Sequence, residues 1–507
     1  MIHRTAIALA VCAAIVAPGC GGGGGESDEL ASVAPANAPA YFESVVRPEG
    51  EQLDAIDSLA SRVGGIDDPG GAIVRQLDAQ LAQSGTDATY ENDIAPWLGE
   101  RAALFFRSFD GEPPPFAVAF ETTDTGAAQD FLDKVVGSAP GTKHLSYNGV
   151  DYLEDPTGTY AAGVVGDLLV YGTLDAFKAA VDASGGDSLA DSSAFDDGTS
   201  ALPDSNLALG YADGRQAAQR LAGTPISPLQ AGALKAAIDT LVNGPVTFAV
   251  SATPDTASLD LSLPTGIAGQ FRGGDLVGQA PANAWFSVGV QDLGGVLRMT
   301  LHAAEALQLP SIEDRIKRLT GVDPNDLVAW MRDGYAYVAG TSKRTISIGG
   351  VALSSDAAAS SRAIEALRKR LRQDADARLG PPRIRGADTG FSATAPESPQ
   401  AIDVARVGDQ VVAALGPGKP GEDALHPKQP LADDPAFKAG ENALGSDFEP
   451  TAFVSLPPFF VVAEKGGTGN DPDYRAARPY LQKLDYLIAA TAATGDRSTV
   501  RFVVGVK

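Results

Sequence analysis

The residues that most often carry catalysis or metal binding are sparse in this sequence. It contains four histidines and two cysteines, and His144, His302 and His426 lie far apart along the chain. None of them has the His-Glu-x-x-His or Cys-His spacing of a zinc site. No Gly-x-Ser-x-Gly nucleophile motif occurs, and the nearest approach is the polar segment 186–190. We therefore predict no metal site, no cofactor and no catalytic residue. A Ser-His-acid triad assembled in space stays open as an alternative.

Two related segments each place a tryptophan shortly after an Asn-Asp pair. Asn92-Asp93 precedes Trp97, and Asn325-Asp326 precedes Trp330. These polar groups are ligand types, but Asn and Asp also favour the N-cap of a helix. A large aromatic side chain four residues later is typical of a core. We predict helix caps and buried anchors rather than ligands.

Two loops have the composition of ligand-binding motifs without their pattern. In segment 416–420, Gly-Pro-Gly-Lys-Pro, the prolines remove backbone donors that a phosphate-binding loop needs. We predict a surface loop there, at which no helix begins. The Asp-rich stretch 187–197 lacks the alternating ligands and final Glu of a calcium loop.

Basic residues concentrate in one part of the chain. Eight of the 39 lysines and arginines are Arg362, Arg368, Lys369, Arg370, Arg372, Arg378, Arg383 and Arg385. The spacing of Ile364, Leu367 and Leu371 predicts a helix over the first half of this run, with those three side chains on its inner face. One interpretation is a solvated helix face that balances an acidic domain. The other is a surface that contacts an anionic lipid, envelope polymer or acidic protein. The contact residues would be Arg368, Lys369, Arg370 and Arg372.

The N-terminal residues predict export. His3 and Arg4 precede an apolar run that ends at Ala17, shorter than the roughly 20 residues of a membrane-spanning helix. The next residues, Pro18-Gly19-Cys20, resemble a bacterial lipobox, in which the cysteine is acylated and becomes the new N-terminus. Ala17 stands where that motif usually has leucine. We predict a signal peptide at 1–19, acylation of Cys20 and a Gly-rich tether at 20–32. Ordinary cleavage, which would release a secreted protein, is the alternative.

Charge and hydropathy agree with a location outside the cytoplasm. The formal net charge is −25, which argues against nucleic acid as a partner because phosphate neutralisation needs clustered cations, so we predict none. No second apolar stretch has the length of a membrane span. We expect a domain anchored by lipid at the extracytoplasmic face of the cell membrane.

Similar segments recur in the same order about 240 residues apart. The matched pairs are 34–38 with 280–284, 92–100 with 325–333, 165–170 with 407–412 and 189–195 with 431–437. Four matches in one order predict two divergent copies of a module, at 33–265 and 279–507, with a linker at 266–278.

Helical and strand patterns alternate within each copy. Leu53, Ile56, Leu59 and Val63 share one helical face before Gly64-Gly65. Segments 248–252 and 259–263 predict a hairpin, and 486–491 with 500–504 predict its counterpart. The expected fold class is α+β, with a largely antiparallel sheet in each module and helices on one sheet face.

The repeat resembles a protein family known as domain of unknown function 3352, found mainly in actinobacterial and related envelope proteins. The resemblance rests on the Pro-Ala-Asn-Ala opening before an aromatic strand and on segment 93–99. The second copy departs from it at Ala329 and Arg332, where the first has Pro96 and Gly99. The family implies a location and an architecture, and brings no catalytic residue and no ligand.

These observations rank three functions. A non-enzymatic envelope lipoprotein that binds a ligand or partner comes first, because a duplicated scaffold can form a cleft between its modules. An extracytoplasmic hydrolase with a spatially assembled site is the first alternative. A structural or chaperone-like spacer is the second.

Overall fold

The computed structural model describes residues 28–83, 85–222, 244–264, 272–306, 316–318, 321–342, 345–373, 378–394 and 400–507. The predicted signal peptide, Cys20 and the first part of the predicted tether lie outside these residues. The last part of the tether is described. There, α1 (Asp28–Ala31) places Leu30 and Ala31 in a hydrophobic core, so the tether ends before Leu30.

The described residues form two compact units, the first within 28–264 and the second within 272–507. Each unit is α+β, with an antiparallel sheet and packed helices. Residues 272–278, assigned to a linker from the sequence, belong to the second unit, and Val277 is fully buried in its core.

The first unit contains ten strands among its described residues. They are β1 (Ala40–Val45), β2 (Leu98–Phe106), β3 (Phe116–Thr122), β4 (Lys143–Tyr147), β5 (Val150–Glu154), β6 (Tyr160–Val165), β7 (Leu168–Thr173), β8 (Ala208–Ala212), β9 (Val246–Ala252) and β10 (Thr256–Pro264). All neighbours are antiparallel, in the order β4-β5-β6-β7-β3-β2-β1-β8-β9-β10.

The described part of the second unit also contains ten strands. They are β11 (Ala284–Val290), β12 (Met331–Ala339), β13 (Ser347–Ser354), β14 (Arg378–Gly380), β15 (Thr389–Thr394), β16 (Ala401–Val407), β17 (Gln410–Gly416), β18 (Glu449–Ser455), β19 (Leu484–Thr494) and β20 (Arg497–Val506). Their antiparallel order is β14-β15-β16-β17-β13-β12-β11-β18-β19-β20. Adding ten to each strand number of the first unit gives this order.

Helices connect the strands in both units. In the first unit they are α2 (Gly50–Leu59), α3 (Pro69–Gln83), α4 (Thr125–Leu132), α5 (Leu174–Ser184), α6 (Ser193–Thr199) and α7 (Gly214–Ala222). In the second they are α8 (Leu293–Ala306), α9 (Pro324–Val328), α10 (Ala357–Arg372), α11 (Pro420–Leu425), α12 (Pro435–Leu444), α13 (Leu456–Lys465) and α14 (Pro472–Leu481).

Helices cover both faces of the sheet in the first unit, not one face as the sequence led us to expect. Along β3, Ala117 and Ala119 belong to the core cluster that includes Phe177 of α5, whereas Val118 and Phe120 belong to the cluster that includes Leu132 of α4. Successive strand residues point to opposite faces. An all-apolar strand core such as 116–120 can be buried only if both faces are covered.

The hairpins predicted at the end of each unit are confirmed. β9 pairs with β10, and β19 pairs with β20. The helix before Gly65 is also confirmed, and Gly65 ends it with φ of +64°, a left-handed conformation that favours glycine. Its apolar face is not deeply buried, however, since Ala55 alone is buried in α2 and Leu53 is 37% exposed.

No helix in the described residues combines the length and the apolar character that crossing a bilayer requires.

Candidate functional site

The helix that carries the basic run begins at a strong cap. Asp356 accepts hydrogen bonds from the backbone N–H groups of Ala358 and Ala359, each at 2.9 Å. The bond from Ala359 is the main reason that the pKa of Asp356 lies below its usual value. A carboxylate at this end also complements the helix dipole. The cap fixes the start of α10 and so the direction of every side chain that follows.

One face of α10 packs into the second unit, as predicted. Ala363 and Ile364 are buried, and Leu367 and Leu371 pack against the same cluster as Trp330 and Phe391. Helical periodicity then turns the intervening side chains away from the core.

The four candidate contact residues divide into two kinds. Arg368 lies 3.4 Å from Glu365 Oε1, and Arg370 Nε donates to the carbonyl oxygen of Arg318 at 3.1 Å. Lys369 and Arg372 are exposed, and neither has an acidic partner in the part of the chain that the structure describes. We name the four residues together the basic surface.

The C-terminal half of the basic run serves a different purpose. Arg383 donates two hydrogen bonds, of 3.1 and 3.2 Å, to the fully buried carboxylate of Asp403. Arg385 donates to Glu422 from its backbone N–H at 2.8 Å and from Nε at 2.9 Å. The backbone bond is the main cause that lowers the pKa of Glu422. These arginines attach the segment that precedes β15 to two other elements, β16 and α11. Because each is paired with a carboxylate, their charges are already compensated.

Cations in the last turn of α10 also stabilise the helix itself. Lys369, Arg370 and Arg372 all lie in that turn. Positive charge near a helix C-terminus contributes about 0.3–1 kcal/mol per residue at exposed positions. This local effect does not need a partner, so it competes with the contact interpretation.

A family model described as a protein of unknown function, DUF3352, matches residues 7–447 of this chain. The chain belongs to that family. The match spans most of the 507 residues and agrees with the resemblance read from the two Pro-Ala-Asn-Ala segments.

Solved structures with some likeness to this DUF3352 chain include crystal forms IV and I of TP0453. Each is 11% identical, with a TM-score of 0.26. The match to form IV covers 46% of this chain and 80% of the TP0453 chain. The match to form I covers 47% of this chain and 78% of the TP0453 chain. TM-scores this low support no inference about fold or function. No curated protein matches the chain.

The first unit of the DUF3352 chain has no basic surface at the corresponding helix. Lys134, in the π-helical turn Asp133–Gly137 that follows α4, donates to Asp93 Oδ1 at 2.7 Å and lies 3.3 Å from Asp87. Burial acts to raise the pKa of Asp93, but the bonds from Lys134 and from the Thr89 backbone outweigh it, and the pKa is lowered. The charge of Lys134 is therefore neutralised within the first unit.

The paired tryptophan segments are structural, and their caps differ from those expected. Trp97 and Trp330 are 2% and 3% exposed, so both are core anchors as predicted. The N-caps are Thr89 and Asp323, not the Asn-Asp pairs that follow them. Asp93 instead accepts from the Thr89 backbone N–H at 2.8 Å.

The glycine-proline segment differs from its prediction in one respect. A short helix, α11, begins at Pro420, although we expected none. Proline suits the first helical position because its missing N–H would have no intrahelical partner there. Lys419 is exposed, as expected of a surface loop.

Within the described residues, no group of three His, Cys, Asp or Glu could hold a metal ion.

A buried charged cluster in the first unit was not singled out from the sequence. Glu43 is fully buried on β1, accepts from Tyr41 Oη at 2.6 Å and pairs with Arg101 Nε of β2. Arg101 Nη2 also donates to Asn206 Oδ1 at 3.0 Å. Burial raises the pKa of Glu43, and Arg101 opposes that rise. Alternation along β1 could have revealed this cluster, because Glu43 shares a face with Tyr41 and Val45.

A pocket in the first unit is too small to bind a metabolite. Its volume is about 30 Å³, which is room for no more than a few water molecules. Asp155 belongs to its lining, but the carboxylate accepts from the backbone N–H groups of Thr157, Thr159 and Tyr160. The carboxylate therefore shapes a turn.

Proposed function

We propose that this chain is a lipid-anchored envelope protein that binds an anionic component of the envelope through its basic surface, without catalysis. Acylated Cys20 would hold it at the extracytoplasmic face of the cell membrane. The observation that supports this most is the pair of exposed cations, Lys369 and Arg372, which have no acidic partner within the described residues.

The charge of the rest of the chain makes this surface distinctive. A net charge of −25 repels anions from most of the molecule, so an anionic partner would approach where cations cluster. Each Lys or Arg near an anionic membrane contributes about 1 kcal/mol. Screening confines the attraction to about 8–10 Å at ordinary ionic strength. Binding at the basic surface would therefore be short-ranged and sensitive to salt.

We also propose that the two units are divergent copies of one module, with domain boundaries near 33–265 and 279–507. Their identical strand order supports this. Matching hydrogen bonds support it further. The Leu189 N–H donates to the carbonyl oxygen of Ala34 at 2.7 Å, and the Leu431 N–H donates to that of Ala280 at 2.6 Å. Likewise, the Thr123 N–H donates to the carbonyl oxygen of Trp97 at 2.7 Å, and the Ser355 N–H donates to that of Trp330 at 2.8 Å. One copy could then keep the scaffold while the other acquired the basic surface.

The anchor is tested by lipid labelling in cells. We expect the wild type to incorporate a palmitate analogue and to partition into the detergent phase, because acyl chains bury many CH₂ groups at about 0.8 kcal/mol each. Cys20→Ala should lose both properties. If Cys20→Ala is labelled as strongly as the wild type, Cys20 is not the site of acylation.

The basic surface is tested by replacing Arg368, Lys369, Arg370 and Arg372 with glutamine. Binding to anionic vesicles and to envelope extracts should weaken, more so at low salt than at physiological salt, because screening already weakens the attraction at the higher ionic strength. A matched control removes four scattered exposed cations, Arg215, Lys419, Lys428 and Lys438. If the basic-surface variant binds as the wild type does at both salts, the basic surface is only a solvated helix face.

A further inference from the structure

A second segment of the same unit brings a further cation to the basic surface. Arg370 Nε of α10 donates to the carbonyl oxygen of Arg318 at 3.1 Å, although the two residues are 52 positions apart in the sequence. Arg318 is exposed and has no acidic partner in the part of the chain that the structure describes. The fold therefore adds to the basic surface a residue that the spacing of cations in the sequence does not indicate.

Backbone packing holds this segment against α10. The N–H of Gly321 donates to the carbonyl oxygen of Lys317 at 2.8 Å. A Cβ atom at Gly321 would lie 3.7 Å from the Cβ of Arg370 and 3.8 Å from the carbonyl oxygen of Ala366, so the chain passes close to the helix here. The φ of Gly321 is +73°, a conformation that glycine adopts without a steric cost. Two contacts, at Arg318 and at Gly321, therefore hold the segment beside Arg370.

The cations at this junction differ in whether their charge is already compensated. Lys317 lies 3.4 Å from Asp323, and Arg368 lies 3.4 Å from Glu365. Four others have no acidic partner among the described residues, and they are Arg318, Lys369, Arg370 and Arg372. The uncompensated charge is therefore carried mainly by guanidinium groups.

Arg370 is oriented before any ligand binds. Its Nε is occupied by the carbonyl oxygen of Arg318, which leaves its Nη1 and Nη2 amino groups without a partner in the described structure. The Cα of Arg318 is bonded to that carbonyl group, so the Arg318 side chain can reach the space around these amino groups. An arginine that is already held loses less side-chain entropy when it binds. Two guanidinium groups from different segments can therefore converge on one anion.

The chemistry of such a pair favours phosphate over carboxylate. A guanidinium offers parallel N–H groups, and the two oxygens of a carboxylate accept both of them. One arginine therefore saturates one carboxylate. A phosphate group has acceptor oxygens in a tetrahedral arrangement, so it also accepts from a second guanidinium that approaches from another direction. Lysine is a point charge without this planar fork and does not make the same distinction.

We propose that Arg318 and Arg370 form a binding site for a phosphate group, and that Lys369 and Arg372 attract the anion at longer range. The phosphate belongs to a phospholipid headgroup or to a soluble phosphate-bearing molecule. This inference rests on the proposed function, because it names the chemical group that the basic surface binds.

Vesicles of matched surface charge test the preference for phosphate. One set contains phosphatidylcholine with phosphatidylglycerol. The other contains phosphatidylcholine with cholesteryl hemisuccinate, a carboxylate, at the same zeta potential. The full chain carries Cys20→Ala, so that insertion of acyl chains does not hide the contribution of the surface. We expect this parent chain to bind the phosphate vesicles about three- to tenfold more tightly, as one additional hydrogen bond would give.

Lysine variants keep the charge and remove the guanidinium groups. Arg318→Lys/Arg370→Lys should bind both sets of vesicles alike, at about the affinity of the parent chain for the carboxylate set. Arg318→Lys alone, which leaves the bond from Arg370 to the backbone carbonyl in place, should lose part of the preference. The control Arg215→Lys/Arg475→Lys changes exposed arginines elsewhere and should keep the whole preference.

Inorganic phosphate separates the two sources of the phosphate group. The parent chain is titrated calorimetrically with inorganic phosphate and, at equal ionic strength, with acetate. Binding of phosphate that Arg318→Lys/Arg370→Lys lacks would show that the site takes phosphate free in solution. No heat of binding, with the vesicle preference intact, would assign the site to a lipid headgroup.

Two results would overturn the phosphate site. One is equal binding of the parent chain to both sets of vesicles, and the other is a preference that Arg318→Lys/Arg370→Lys retains. Either result leaves the basic surface as a contact that does not select among anions. Failure of the parent chain to bind any anionic vesicle would instead contradict the proposed function itself, so the two failures are distinguishable.

Discussion

Replacing Trp97 with alanine is expected to lower the free energy of unfolding of the first unit by about 3–5 kcal/mol. The indole is 2% exposed and packs against Phe120 and Phe131, with ring centroids at 6.3 and 5.4 Å. Alanine would leave a cavity that the surrounding side chains fill only in part. Trp330→Ala should cost a similar amount in the second unit, where the indole is 3% exposed. Denaturant unfolding monitored by circular dichroism measures both changes.

Phenylalanine at the same positions separates packing from hydrogen bonding. Trp97 Nε1 donates to the Asp93 carbonyl oxygen at 2.7 Å, whereas Trp330 Nε1 is buried with no hydrogen-bond partner among the described residues. A buried hydrogen bond contributes about 1 kcal/mol, and an unpaired buried donor is itself unfavourable. Trp97→Phe should therefore destabilise more than Trp330→Phe. A loss near zero for either alanine variant would show that the tryptophan is not a core anchor.

Replacing Arg101 with leucine is expected to cost about 3–5 kcal/mol, because it leaves the buried Glu43 carboxylate without its cation. Glu43 is fully buried and Arg101 is 3% exposed. The double variant Glu43→Leu/Arg101→Leu should recover much of the loss, since neither charge of this pair then remains buried. If the double variant is as unstable as Arg101→Leu, the loss comes from packing rather than from an uncompensated charge.

The cost of Arg101→Leu should depend on pH. Burial already raises the pKa of Glu43, so the folded state binds this proton more tightly than the unfolded chain. The stability linked to this proton is present below the ordinary carboxyl pKa and is lost as pH rises through the folded pKa. Arg101 is the main group that lowers the pKa of Glu43, with a smaller contribution from the Tyr41 hydrogen bond, so removal of Arg101 extends the loss to higher pH. The variant should be closer to the wild type at about pH 5 than at about pH 8. A cost that does not change with pH would contradict this role of Glu43.

Local patterns were sufficient for the elements that depend on neighbouring residues. The β9–β10 and β19–β20 hairpins have short turns between strands of regular alternation, and the inner face of α10 follows helical spacing. Patterns of this kind predict an element because its contacts lie within a few residues.

Features that depend on distant partners could not be predicted in the same way. Arg383 and Arg385 looked like part of one cationic run, but their partners Asp403 and Glu422 lie 20 and 37 residues away. The Glu43–Arg101 pair joins residues 58 apart. The separation of the compensated arginines, Arg383 and Arg385, from cations without acidic partners in the described residues, Lys369 and Arg372, required the fold.

That separation gives the most direct test of the proposed function. Lys369→Gln/Arg372→Gln and Arg383→Gln/Arg385→Gln remove the same charge from the same run, but only the first pair removes cations without acidic partners in the described structure. Binding to anionic vesicles is measured across a salt series, at a temperature at which both variants are folded. The account predicts that the first variant binds more weakly and with less dependence on salt, while the second binds like the wild type. Equal binding by both variants, whether unchanged or equally weakened, would contradict a specific role for the basic surface.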